Sequence, residues 1–269
     1  MRTVPVALLA VALLAGCTGG QRAADRPPPS TQVASASGPA ARSPAPAPAT
    51  GAPLAAVPAN RWRAVLVAGD VNSPAFDNAI EAFRDKLAAR GVQNVRLLST
   101  NPAKAAAGQI ASSGNVRSAV RGMTGDACLV FITAHGETKG MFMRQDRRFV
   151  EPRELDAALS GCGNVPTVAI LSGCHSGTFI TPEMSKPNRI ILTAAAKDRT
   201  SFGCGVRDVF TYYDQCLLRQ YDAATTWREL AATTRSCVEG LERTLAVRAT
   251  SEPQTFVGAA VADLRLPGK

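Results

Sequence analysis

Beyond residue 60 the apolar positions follow two alternating rhythms. RAVLVAG at residues 63–69, ACLVFITAHG at 127–136 and TVAILSG at 167–173 are near-continuous apolar runs. That is the pattern of strands buried on both faces, not the alternation of a half-exposed sheet. VRLLS at 95–99 and RIILTAA at 189–195 predict two more strands. Between them the period lengthens. Phe76, Ile80, Phe83 and Leu87 recur at spacings of four, three and four, one apolar stripe of a helix that Gly91 stops. Shorter helices are predicted around 116–123 and over 151–161, the latter with Pro152 in its first turn. Residues 208–248 are predicted to be largely helical, and QTFVGAAV at 254–261 to form a last strand. The predicted fold is therefore α/β, a mostly parallel central sheet flanked by helices. In such sheets ligands and chemistry gather beyond the carboxyl ends of the strands.

The first sixty residues obey neither rhythm. An apolar run from Val4 to Leu14 follows Arg2 and ends in Leu14-Ala15-Gly16-Cys17. It is too short for an ordinary spanning helix and has the layout of an export signal. Its end resembles the lipobox of bacterial lipoproteins. That resemblance implies removal of residues 1–16 and a lipid on Cys17. The protein would then be held at the cell envelope and face the periplasm, with the outer membrane as the expected location. Residues 17–60, with RPPPST and SPAPAPAT, are rich in Pro, Ala, Ser, Gly and Thr. They bury too little apolar area to offset ordering entropy, so a disordered tether is predicted. The functional domain is predicted at 61–269. The net charge of +9 is scattered, its closest knot being Arg144, Arg147 and Arg148. With no aromatic-interleaved basic stripe and no nucleic-acid module, a nucleic-acid partner is excluded from the expectation.

Chemistry concentrates in ILSGCHSGTFI, residues 170–180, where Cys174, His175 and Ser176 follow a strand end. A serine-hydrolase elbow needs Gly-x-Ser-x-Gly; here Ser176 comes one position late, and no histidine lies downstream of His175. Cys128, His135, Cys174 and His175 match no zinc spacing. A Cys–His pair fits better. The two histidines of the chain, His135 and His175, both lie at the predicted catalytic edge. Neighbouring side chains on an extended chain point apart, so His135, from a separate strand end, is the better base for Cys174. The N–H groups of Gly136 and Cys174 are candidates for an oxyanion hole. The competing reading makes Cys174 a packed structural thiol.

A strand ending in His135-Gly136, followed by a strand ending in Cys174-His175-Ser176-Gly177, resembles the legumain-like cysteine peptidases, which have the caspase-like fold. DRTSFGC at 198–204, GDVNSPAFDNAIEAF at 69–83 and SEPQTF at 251–256 are similar to further elements of that family. The resemblance implies Cys174 as nucleophile, His135 as general base and acid, and Gly136 and Cys174 as oxyanion donors. It implies Thr200, Ser201 and Phe202 as walls of the pocket for the residue before the cleaved bond, with Asp214 as a pocket carboxylate. The reaction would be peptide hydrolysis or transfer through a thioester, on a peptide or protein substrate, with no metal or organic cofactor. The family's third catalytic residue, an asparagine, would correspond to Asn72. Its asparagine-reading charges are missing, because the first loop lacks an arginine and Ser172 stands two before the nucleophile. The alternative is a catalytically silent lipoprotein of the same fold, acting as a binding module.

Setting aside Cys17 and Cys174, five cysteines remain. Cys128, in mid-strand, is expected to be a small buried hydrophobe. Cys162, Cys204, Cys216 and Cys237 are expected to form two disulfides in an oxidising compartment, with three pairings open.

Overall fold

Strand β1 (Trp62–Ala68) leads into α1 (Pro74–Ala89), β2 (Asn94–Ser99), α2 (Ser113–Arg121) and β3 (Ala127–Thr133) in the computed structural model. The structure describes residues 56–106 and 108–269. Three short strands follow: β4 (Gly136–Glu137), β5 (Gly140–Met143) and β6 (Arg148–Val150). Then come α3 (Pro152–Leu159), β7 (Thr167–Ser172), β8 (Arg189–Thr193), α4 (Tyr212–Tyr221), α5 (Trp227–Thr244) and β9 (Gln254–Val257). The expected signal at 1–16, the expected lipidation site Cys17 and most of the expected tether at 17–60 lie outside the described residues. Packing begins just before residue 61, since Val57 packs against the core and its carbonyl accepts the Trp62 indole N–H at 3.3 Å.

The main sheet has the order β2-β1-β3-β7-β8-β9. Its neighbours run parallel except for β9, which closes the edge antiparallel to β8. Alternation along the strands divides the core into two layers. Leu66, Leu129, Phe131, Val168 and Ile170 pack on one face, against α1, α4 and α5. Val65, Val67, Val130, Ile132 and Leu171 pack on the other, against α2 and α3. The predicted stripe of α1 (Phe76, Ile80, Phe83, Leu87) is buried throughout. Ser73 and Pro74 start that helix, and Gly91 follows its end with φ of 88°, as a helix-terminating glycine does. The helical region predicted at 208–248 divides in two, because Thr226 caps a new helix by accepting the N–H of Glu229.

Two expectations need correction. The strand predicted to reach Gly136 ends at Thr133, and the following residues build a separate antiparallel sheet, β4-β5-β6. Met141, Met143 and Val150 of that sheet join the α2–α3 layer, so its few apolar residues are enough to anchor strands too short to show a period. Cys128 is not a free thiol but is bonded to Cys162. It points into the α2–α3 layer beside Val130, and the helical turn Ser160–Cys162 that extends α3 delivers its partner to the same layer. Cys216 of α4 bonds Cys237 of α5, which leaves Cys174 and Cys204 as the free cysteines among the described residues. The Cys216–Cys237 link spans 21 residues of sequence. Replacing both cysteines by alanine should lower the unfolding free energy by about 3 kcal/mol, the loop-entropy value for that span, in urea titration monitored by tryptophan fluorescence. Unchanged stability would show that α4 and α5 hold together without it.

Candidate active site

Ala68, Thr133 and Ser172 face one another across β1, β3 and β7. The Gly69 N–H donates to the Thr133 carbonyl at 3.0 Å and the Ala134 N–H to the Ser172 carbonyl at 3.1 Å, extending the ladder one step further. Strand neighbours in register point to the same side, and alternate residues share a face. Leu66, Phe131 and Ile170 lie on the α1–α4–α5 face. Four residues on, the same face receives Asp70, His135 and Cys174. Three chemically capable side chains thus leave three adjacent strands in one row.

The His135 ring meets Phe76 edge to face, with centroids 5.3 Å apart. Its Nε2 lies 3.8 Å from Asp70 Oδ2, a contact between charges longer than a hydrogen bond. Asp70 is 1% exposed. Its Oδ1 accepts the Asn72 N–H at 2.8 Å and the Nε–H of Arg144. Its Oδ2 has no hydrogen-bond partner among the described residues and is left to face the imidazole. Nε2 is thereby directed at Asp70, and Nδ1 is the nitrogen free to serve the cleft.

The Cys174 sulfur accepts the Ser201 N–H at 3.3 Å and lies 3.6 Å from the Ser201 carbonyl and 3.7 Å from its hydroxyl. Among the described residues it makes no hydrogen bond to His135. Two backbone N–H groups are free beside it. That of Cys174 has no partner among the described residues. Gly136 opposes Met141, and the Phe142 N–H donates to the His135 carbonyl at 2.8 Å. This marks Gly136 and Met141 as a non-hydrogen-bonded pair, so the ladder leaves the Gly136 N–H unused. The two strand ends touch here: a Cβ on Gly136 would stand 2.1 Å from the Cys174 carbonyl oxygen. Only glycine permits that approach.

The other candidates of the 170–180 segment are otherwise engaged. His175 has a left-handed backbone (φ 56°), its N–H donates to the Arg199 carbonyl at 2.7 Å, and its Nδ1 lies 3.1 Å from the Lys197 carbonyl. Ser176 is buried and accepts the Ala195 N–H at 3.1 Å. Both brace the loop that follows β8.

Of the expected pocket residues, Ser201 lies directly against the sulfur. Thr200 is exposed, and Phe202 packs on Tyr212 with centroids 5.9 Å apart. Asp214 lies one row beneath the strand ends and is fully buried. Thr133 donates to its Oδ2 at 2.7 Å, so it supports the row from behind. Burial raises its carboxyl to about 6, against the pull of the Ser172, Thr133 and Thr211 hydroxyls. Asn72 is exposed and meets Asp70 through its backbone N–H. The residue at the imidazole is Asp70, which sequence reasoning passed over. Its signal was available: Asp70 follows a buried strand by the same interval as His135 and Cys174.

Two consequences are testable. Gly136→Ala should force the β3 and β7 ends apart, costing about 2 kcal/mol of stability in thermal or urea unfolding; a variant of unchanged stability would show that the ends yield freely. The neutral Asp214 is favoured by folding, since its folded value exceeds the ordinary carboxyl value of 3.8. Its contribution is complete well below 3.8 and lost as pH rises through about 6. Relative to Asp214→Asn, the natural protein should lose about 2 kcal/mol between pH 4 and pH 8, measured by urea unfolding at each pH. Parallel pH profiles for the two proteins would contradict this.

Among solved structures, a crystal structure of caspase-1 from Spodoptera frugiperda matches with a TM-score of 0.53 and 13% identity, covering 73% of this chain and 86% of that one. At that identity the likeness concerns the fold alone, and it gives the layered sheet a caspase-like architecture. No curated protein matches the chain significantly. The model of the Peptidase C13 family matches residues 71–243, more than half of the chain, and spans His135, Cys174 and Ser201. The chain therefore belongs to the Peptidase C13 family, the legumain-like cysteine peptidases of caspase-like fold.

Proposed function

We propose that the protein is an active cysteine peptidase that cleaves peptide bonds through a thioester on Cys174. The observation that carries this reading is the row of Asp70, His135 and Cys174 imposed by the strand register. His135 Nδ1 takes the thiol proton as the sulfur attacks the scissile carbonyl. The carbonyl oxygen, now negative, accepts the N–H groups of Gly136 and Cys174. The imidazolium returns its proton to the leaving amine, and the acyl group stays on sulfur. His135 then deprotonates a water that hydrolyses the thioester; an amine in place of water gives transfer. Catalytic hydrogen bonds often tighten only with substrate bound, which accommodates a free-state sulfur held by Ser201.

Asp70 is the positioning residue. It faces Nε2, which leaves Nδ1 for the thiol proton. Arg144 bonds the same carboxylate and fixes its orientation. Ser201 and its neighbours Thr200 and Phe202 border the substrate, and Asp214 supports the pocket through Thr133. On the lipobox resemblance, the lipid on Cys17 holds the enzyme at the envelope, facing the periplasm.

Cys174→Ala should abolish covalent labelling by a thiol-directed peptide probe, detected by intact mass, without altering the melting temperature. Labelling that persists in this variant excludes Cys174 as nucleophile, and an unlabelled but peptide-binding natural protein would be the silent binding module. Asp70→Asn should lower kcat by about a hundredfold with KM and the melting temperature unchanged, because the ring loses the group it faces. An unchanged kcat would remove Asp70 from the mechanism.

A further inference from the structure

Val71, Val206, Val209 and Leu245 are the large apolar side chains that stand exposed among the described residues. Three of the four lie in the two loops that carry Asp70 and Ser201. Val71 directly follows Asp70, while Val206 and Val209 belong to the loop between Ser201, which holds the Cys174 sulfur, and α4. The two loops are fastened to the same element. Ser73, in the first loop, begins α1, and the Asn78 side chain of that helix donates to the Val209 carbonyl at 3.0 Å. Between Ser201 and Val206, Cys204 is half-buried, and burial pushes its thiol up.

The valines are also held on display. The Asp208 N–H donates to the Gly205 carbonyl at 3.1 Å, and Asp208 Oδ2 accepts the Gly205 N–H at 2.7 Å. This closes a turn from which Val206 is 77% and Val209 64% exposed. Large apolar side chains fixed in water near reactive groups gain nothing from the other described residues and gain contact from an occupant. The charges around them offset one another: Arg207 adjoins Asp208, and Arg144 bonds Asp70. The rim thus offers apolar area on the loops that carry Asp70 and Ser201.

We infer that Val71, Val206 and Val209 form an apolar rim of the substrate groove, which selects peptides carrying a large aliphatic or aromatic side chain beside the scissile bond. This rests on the peptidase reading of the same cleft and adds its substrate class.

The test uses the full-length Cys174→Ala protein, so that binding is read without turnover. Fluorescein-labelled hexapeptides with Leu or Phe at a central position are compared by anisotropy with the same peptides carrying Ser or Lys. The Leu and Phe peptides should bind about tenfold more tightly. Adding Val206→Ser and Val209→Ser should erase that difference while leaving the melting temperature unchanged. Equal affinities in the Cys174→Ala protein, a preference that survives the added substitutions, or no binding of any peptide would each overturn the rim. Labelling of the natural protein at Cys174 reports separately on catalysis. Apolar preference without labelling sinks the peptidase reading and keeps the rim, and labelling without the preference does the reverse.

Discussion

The pairing register of β1, β3 and β7 is the constraint on which the site depends. Each strand carries its reactive residue two positions past the last paired one, and the pairing places those ends level. Because side chains alternate, a slip of one residue on any strand would send its reactive group to the opposite face. The register is protected by burial on both sides. Leu66, Phe131 and Ile170 are packed under α1, α4 and α5, while Val67, Ile132 and Leu171 are packed under α2 and α3. A slip would exchange these layers. The apolar core is therefore also the jig that aligns the chemistry.

The same packing explains how polar groups are used at the strand ends. Asp70 and Asp214 are both buried, and each is tied to the row. Asp70 is bonded by Arg144 and by the Asn72 N–H, so its remaining oxygen meets His135. Among the described residues Asp214 has no cationic partner and is held by hydroxyls, so burial raises its carboxyl toward the neutral form. One acid thus lies between a guanidinium and the imidazole, while the other, in the support below, is disposed toward its neutral form. Gly136 completes the arrangement, since its missing side chain lets one strand end rest on the backbone of the next.

Much of this was legible in the sequence. The continuous apolar runs announced strands buried on two faces, and the stripe on α1 announced its buried side. His135 and Cys174 stood out because both follow such strands. Other features were hidden for physical reasons. The strands β4 to β6 are two to four residues long, below the length at which alternation shows. Cys128 looked like core because it is core; only the turn after α3, set by tertiary packing, supplies Cys162. Asp70 was overshadowed by Asn72, which matched the family's residue type, although Asp70 is the residue two past the last paired position of β1, as His135 and Cys174 are on β3 and β7. The turn that displays Val206 and Val209 carries no periodic signal at all.

The account is tested most directly by a crystal structure of the protein with a peptide aldehyde bonded to it. The aldehyde carbon should be joined to the Cys174 sulfur, with its oxygen about 3 Å from the N–H groups of Gly136 and Cys174 and His135 still between that sulfur and Asp70. An aldehyde attached elsewhere, or an oxygen turned away from both N–H groups with His135 swung out of the row, would contradict it.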